Sequence, residues 1–291
     1  MNRHCRTILF LLAALLPAGE VRAQEPAAPG PTYVIPIEGE IDRALMVFLR
    51  RGIEEAKKAG AQSIVFAIDT FGGRVDSALQ ITTLIGAADP IQTVAYVPSS
   101  PAGTGVSWSA GALISFSCDR IYMAPGTSMG AAAPVYQSAE GLTAAPEKTV
   151  SALRAQMAAL AEKNGYPPGV ALAMVDLDVE LQEIYLDGKL AVATDSELPE
   201  VERRAAQEGK DVEKGRVISP KGKLLTLTAG EAERYGVSTR TVASLEELTT
   251  LLGAGEVHQL SSNLADRIVS VLTGSVVTGL LVLIGLVALY L

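Results

Sequence analysis

The run Ser63-Ile64-Val65-Phe66-Ala67-Ile68 is apolar at nearly every position, carries no charge and ends at Asp69. A short continuous apolar run bounded in this way is the mark of a strand buried on both faces. Such a strand needs cover above and below, and the flanking sequence supplies it. Tyr33 to Ile37, Thr93 to Val97 and Arg120 to Ala124 read as further strands. Between them lie helical stretches: one begins at Asp42, a cap residue, and stops at Gly60, and a second spans Ala78 to Ala88. Strand alternating with helix predicts an α/β fold with a mainly parallel sheet and helices on both faces.

In open parallel sheets, ligands bind beyond the carboxyl ends of the strands. Three small-residue loops fall there: Gly72-Gly73, the stretch Gly105-Val106-Ser107-Trp108-Ser109-Ala110-Gly111, and Gly126 to Gly130. The middle one leads into the apolar run Ala112-Leu113-Ile114, so it sets a serine hydroxyl at a helix N-terminus. There the dipole and unpaired N–H groups favour developing negative charge. One use of that position is a nucleophilic serine; the plainer one is an N-cap, for which serine is a favoured residue. Ser107 and Ser109 both qualify at this stage.

Further along, Ala131 to Ala145 lacks regular pattern and reads as a mobile loop. Pro146-Glu147-Lys148 opens a helix that ends at Asn164-Gly165, and Val170 to Leu177 reads as another. A hairpin is expected around Asp187-Gly188, and a second around Pro220-Lys221-Gly222. The charged stretch Thr194 to Gly215 reads as a solvated excursion. Two capping boxes, Thr228 with Glu231 and Ser244 with Glu247, start short helices.

The ends of the chain differ from its middle. Residues 1–23 combine a basic start, an apolar run from Ile8 to Leu16 and a small-x-small pattern at Val21-Arg22-Ala23, the signature of a secretory signal peptide. Residues 24–32 read as a flexible leader, 33–255 as the folded domain and 256–267 as a juxtamembrane linker. Residues 268–291 are uncharged and apolar, long enough for a transmembrane helix. The sequence stops within or at the edge of that span, as a C-terminal anchor or a piece of a longer protein would.

Composition narrows the chemistry. A net charge of −8 and the lack of any Lys/Arg block give no electrostatic footprint for nucleic acid. No His/Cys/carboxylate cluster has metal-ligand spacing, so neither metal nor other cofactor is expected. Cys118 is the one cysteine beyond the leader and reads as a buried structural thiol. A nucleophilic serine also needs a base. The one histidine beyond the leader is His258, far along the chain from the core, which makes a Ser-His-Asp triad a poor fit. A lysine whose charged form is disfavoured by an apolar pocket is the remaining option. Between Gly60 and Gly165 the lysines are Lys148 and Lys163. Lys163 sits at a helix C-terminus, where a cation is stabilised, and Lys148 at a helix N-terminus, where it is not.

Taken together, Asp69-Thr70-Phe71-Gly72-Gly73, the run ending Ser109-Ala110-Gly111, and Met123-Ala124-Pro125-Gly126-Thr127-Ser128-Met129-Gly130 resemble Clp-protease-like serine peptidases of the Clp-protease/crotonase superfold. With Pro146-Glu147-Lys148 and Leu227-Thr228-Ala229-Gly230-Glu231-Ala232, the closer resemblance is to the membrane-bound NfeD family. It implies Ser109, by its spacing to Gly111, as nucleophile and Lys148 as general base of a Ser–Lys dyad. It also implies Gly72, Gly73 and the Ala110 N–H as oxyanion hole and substrate-binding groups. The substrate would be a peptide or protein with a hydrophobic segment, a stomatin-like membrane protein as partner, and the assembly a homodimer or higher homo-oligomer. The chain would be held in a membrane with its catalytic domain on the extracytoplasmic side. Phe71 and Trp108 stand where the family carries a proline and a small residue; on them rests the alternative of a catalytically inactive scaffold that binds a membrane partner. A crotonase-type acyl-CoA enzyme is the second alternative.

Overall fold

The computed structural model describes residues 30–101, 103–138, 141–261 and 275–290. The expected signal peptide lies outside the described residues, as does most of the leader.

Strands β1 (Thr32–Ile41), β2 (Ser63–Gly73), β3 (Gln92–Val97) and β5 (Arg120–Met123) run parallel, linked by α1 (Arg43–Lys58), α2 (Val75–Gly86) and the short pair β4 (Val106–Trp108) and α3 (Ala110–Phe116). Asp42 caps α1 by accepting a hydrogen bond from the Leu45 N–H at 2.8 Å, as the sequence predicts. The alternation along β2 explains its apolar run. Ile64, Phe66 and Ile68 enter the large core, whereas Val65 points to the opposite side, into a smaller cluster with Val34, Val94, Tyr96 and Tyr122. That second side is closed by α8 (Leu245–Leu251) through Leu248.

β2 does more than the sequence suggests. It continues through Asp69 to Gly73, a stretch read as a loop, and exchanges partners along its length. Residues 63–67 pair with β3, whereas Thr70 pairs with Ser107 of β4. From β4 the sheet continues to β6 (Ser128–Gly130) and then to the antiparallel β12 (Thr226–Thr228). β4 and β6 are therefore strands made from loops that the sequence left irregular. At three residues each they are too short to show a period.

Ala131 to Ala145, expected as a mobile loop, contains the antiparallel hairpin β7 (Val135–Ser138) and β8 (Gly141–Ala144). It leads to α4 (Glu147–Asn164), whose end at Gly165, in the left-handed region at φ 77°, agrees with the sequence. Then come α5 (Pro168–Val175) and the expected hairpin β9 (Leu181–Leu186) and β10 (Lys189–Thr194). The charged excursion instead forms α6 (Leu198–Glu208) and part of β11 (Val212–Ser219), which pairs with β9. The expected hairpin at Pro220 therefore does not form, because β11 and β12 go to different sheets. α7 (Ala229–Arg234) has the predicted capping box at Thr228 and Glu231, and β13 (Arg240–Thr241) extends the main sheet beside β5.

The main sheet also runs past the expected domain edge at residue 255. β14 (Val257–Gln259) pairs with β1, and Leu260 packs on the core, so the start of the expected linker is part of the fold. Within the expected transmembrane span, Ser275–Tyr290 forms helix α9, 16 residues long and apolar, with Leu283, Leu286 and Leu289 exposed. Among the described residues no helix is long and apolar enough to cross a membrane.

Candidate functional site

The end of β2 and the start of α3 meet at Gly72. A Cβ placed on Gly72 would stand 2.6 Å from Ser109 Cβ, 2.9 Å from Ser109 Oγ and 3.2 Å from the Ala110 nitrogen. With φ at 112°, the position admits glycine on both counts. Gly73 is as restricted by a different neighbour, since its Cβ would fall 2.5 Å from the backbone of Ile41. So Gly72, Ser109 and Ala110 are brought together, while Gly73 anchors the loop to β1.

The backbone around Ser109 is held from three directions. Its φ of 53° and ψ of −118° are unusual for a residue with a side chain and cost roughly 1–3 kcal/mol. The Ser109 N–H donates to the Gly130 carbonyl at 2.9 Å, and its own carbonyl accepts from Leu113 at 3.3 Å. This sharp turn lifts the side chain out of the helix-capping geometry, and Ser109 makes no side-chain cap hydrogen bond. Ser107 behaves in the opposite way. It is fully buried, its hydroxyl shares a 2.9 Å hydrogen bond with that of Ser115, and it lies under Gly111. Only Ser109 of the two reaches the crevice.

Two residues behind this turn were not given roles from sequence. Asp69 takes the Thr104 N–H at 2.8 Å, the Thr104 hydroxyl and the Val106 N–H at 3.3 Å, tying the incoming loop and β4 to β2. The buried Thr70 hydroxyl donates to the Gly39 carbonyl and accepts the Gly72 N–H at 2.9 Å. The Gly72 N–H is thus bonded within its own loop. The Ala110 N–H, at the first position of α3, has no intrahelical acceptor. The signal that could have exposed Asp69 is its place: a carboxylate ending a buried strand needs donors, and the next loop offers them.

Beside Ser109 a small cavity is lined by Val75 and Ala78 of α2, Ala110 and Leu113 of α3, Ala132 and Pro134, and Leu153 of α4. Apart from Ser109 the lining side chains are all apolar, and the space, about 10 Å³, is that of a single water molecule, so a larger group enters only as the walls move. Lys148 is not among the residues that line the cavity. It occupies the first turn of α4, five residues before Leu153, or about 7.5 Å along the axis. Its side chain is exposed and makes no hydrogen bond or ion pair to the described residues. The apolar burial expected for it is absent here, because α4 emerges from the exposed β7–β8 hairpin rather than from the core.

Other candidates fall away. His258 stacks on Tyr33 with ring centroids 5.0 Å apart, at the register Tyr33↔His258, whereas Gly72 pairs with Glu40. Seven residues along β1 separate the two, roughly 23 Å at about 3.3 Å each. Cys118 is fully buried, and burial pushes its thiol well above its usual range, which keeps it protonated and inert.

Residues 31–207 match the family model described as the NfeD1b N-terminal domain. Membrane protein NfeD1b of Bacillus subtilis (strain 168) is 33% identical over 283 residues, covering 97% of this chain and 54% of that one. The membrane-bound protease PH1510 of Pyrococcus horikoshii is 31% identical over 152 residues, covering 51% of this chain and 33% of that one. The chain therefore spans about half the length of the first relative and a third of the second. Among solved structures, a variant of the 1510-N membrane-bound stomatin-specific protease in complex with a substrate peptide superposes with a TM-score of 0.61 at 23% identity, over 84% of this chain and 99% of that one. That likeness establishes the shared mixed α/β fold. With the family model matching more than half of its length, the chain belongs to the NfeD1b N-terminal-domain family.

Proposed function

We propose that residues 33–255 act as a serine endopeptidase that cleaves peptides carrying a hydrophobic segment, using Ser109 as nucleophile and Lys148 as base. The observation that carries this reading is Ser109 itself: a non-glycine residue held at positive φ, its hydroxyl free beside Gly72 and opening on an apolar cavity. Strain of this kind, maintained by the surrounding hydrogen bonds, belongs with function more often than with packing. The similarity to a membrane-bound protease supports the reaction class.

In the proposed reaction, an apolar side chain of the peptide packs at the mouth of this pocket and its carbonyl carbon lies against Ser109 Oγ. The hydroxyl adds to that carbon while its proton passes to the unprotonated ε-amine of Lys148. The oxyanion that forms is met by the Ala110 N–H, a donor worth roughly 3 kcal/mol in such a role. Collapse breaks the C–N bond, the proton returns from Lys148 to the leaving amine, and water then hydrolyses the acyl-enzyme.

The same proposal includes attachment to a membrane, with the domain on the extracytoplasmic side, a stomatin-like protein as substrate or partner, and a homodimer or higher assembly. The signal-like residues 1–23 and the exposed apolar α9 support the first part; the described substrate specificity of the 1510-N protease motivates the second. The test is cleavage of a peptide with an apolar segment by the full chain in detergent, read by mass spectrometry. Lys148→Ala is expected to lose activity by about 100-fold or more. Full activity in that variant would sink the dyad.

A further inference from the structure

Phe71 and Trp108 take no part in the chemistry above, yet each is the chain neighbour of a crevice residue: Phe71 precedes Gly72, and Trp108 precedes Ser109. Their rings meet edge to face, with centroids 5.5 Å apart and planes at 68°. Phe71 is 62% exposed, unusual for a ring on a rigid strand at the heart of the sheet. Strand alternation requires it, because Thr70 and Gly72 use the inner face of β2. The half-buried Trp108 is fixed in place, its indole N–H donating to Ser128 Oγ at 2.9 Å. Neither ring lines the aliphatic cavity beside Ser109.

The crevice thus offers two apolar places of different character, a narrow aliphatic pocket beside Ser109 and an open aromatic shelf on the chain neighbours of Gly72 and Ser109. A peptide that packs its acyl-side residue at the mouth of that pocket must carry its leaving-group side away from it. We infer that the Phe71–Trp108 shelf receives the residue on the leaving-group side of the scissile bond and selects an apolar, preferably aromatic, side chain there. This rests on the peptidase reading of Ser109. The chemistry is plain: a third ring can pack on an edge-to-face pair in the offset or edge geometry that aromatic quadrupoles prefer. A polar side chain would instead lose water without gaining a partner. The departure from a proline and a small residue at these two positions is then a change of specificity rather than a loss of activity.

The test compares two peptides identical except for the residue after the scissile bond, Phe in one and Ser in the other, with the full chain as enzyme. The wild type is expected to favour the Phe peptide in kcat/KM by about tenfold, the scale of one apolar contact in a site. Phe71→Ala, at an exposed position that leaves the core untouched, is expected to bring the ratio near one, and Phe71→Tyr to restore most of it. A ratio that stays near tenfold in Phe71→Ala overturns the shelf while leaving the peptidase reading intact. Cleavage of neither peptide by wild-type protein that also takes no serine-directed phosphonate overturns that reading and the shelf with it.

Discussion

The Ser109 turn and the Lys148 end of α4 are built by opposite means. On the Ser109 side every backbone position is determined: Gly72 is close-packed on Ser109, Thr70 and Asp69 tie the loops to β2, and the Ser109 N–H is held by Gly130. On the Lys148 side an exposed two-stranded hairpin feeds an exposed first helical turn, and the lysine has no described partner. A two-stranded ribbon is marginal by itself in water. The contrast teaches that the Ser109 turn is fixed by its own hydrogen bonds, while in the proposed reaction the Lys148 end of α4 takes its environment from the bound peptide. Enzymes commonly divide the work in this way, with a rigid constellation and a segment that completes it on binding.

That contrast can be broken by substitution. The largest effect is expected at the nucleophile, where Ser109→Ala should lower peptide cleavage by at least about a thousandfold with little change in melting temperature. Ser107→Ala should do the reverse, keeping activity while costing about 1 kcal/mol of stability through the lost hydrogen bond to Ser115. Gly72→Ala comes next. Its Cβ would overlap Ser109, and φ is positive, so a stability loss of about 2–3 kcal/mol in denaturant melts should accompany loss of activity. Lys148→Ala separates the two regions cleanly, because an exposed residue should move stability by less than about 0.5 kcal/mol while cleavage falls. A large stability change there would show that the Lys148 end of α4 is as tightly built as the Ser109 turn.

The smallest effect lies away from the crevice, at the clamp between the outer sheet and α7. Glu183 is 3% exposed and accepts hydrogen bonds from Tyr235 at 2.8 Å and Arg216 at 3.1 Å, with Arg234 at 3.0 Å. Burial pushes its carboxyl up, but these partners outweigh burial and hold it below the usual value. A depressed carboxyl stabilises the fold above its unfolded value and loses that contribution as pH falls through the folded one. Glu183→Gln should therefore cost about 1–2 kcal/mol at pH 7 and progressively less below about pH 4.5. An equal cost at pH 7 and pH 3 would contradict the charged clamp.

How much of this was legible beforehand follows from side-chain size. The strands with strong apolar period, the Asp42 cap, the α4 boundaries and the capping box at Thr228 were all readable because large or polar side chains mark them. β4, β6 and the end of β2 were not, since β4 and β6 are three residues each, too short to show a period, and β2 ends in two glycines; those are the segments that build the crevice. From the residues alone the serine was legible only as one of two, and the family resemblance, through the spacing to Gly111, pointed to Ser109. What separates Ser109 from Ser107 is backbone geometry, a positive φ against a buried strand position, and no residue identity announces that. Nor could the sequence reveal that the Gly72 N–H is taken by Thr70, because that bond follows from the loop curling back on itself. The exposure of Lys148 was hidden for a similar reason. A helix N-terminus is visible in sequence, but what packs against it is not.

The most direct measurement is the position of a covalent adduct. The full chain in detergent is treated with a serine-directed phosphonate, and the modified residue is located by proteolysis and tandem mass spectrometry. The expected adduct is on Ser109, absent from Ser109→Ala and retained in Ser107→Ala. An adduct on Ser107, or none on either serine, would contradict a nucleophile at the strained turn.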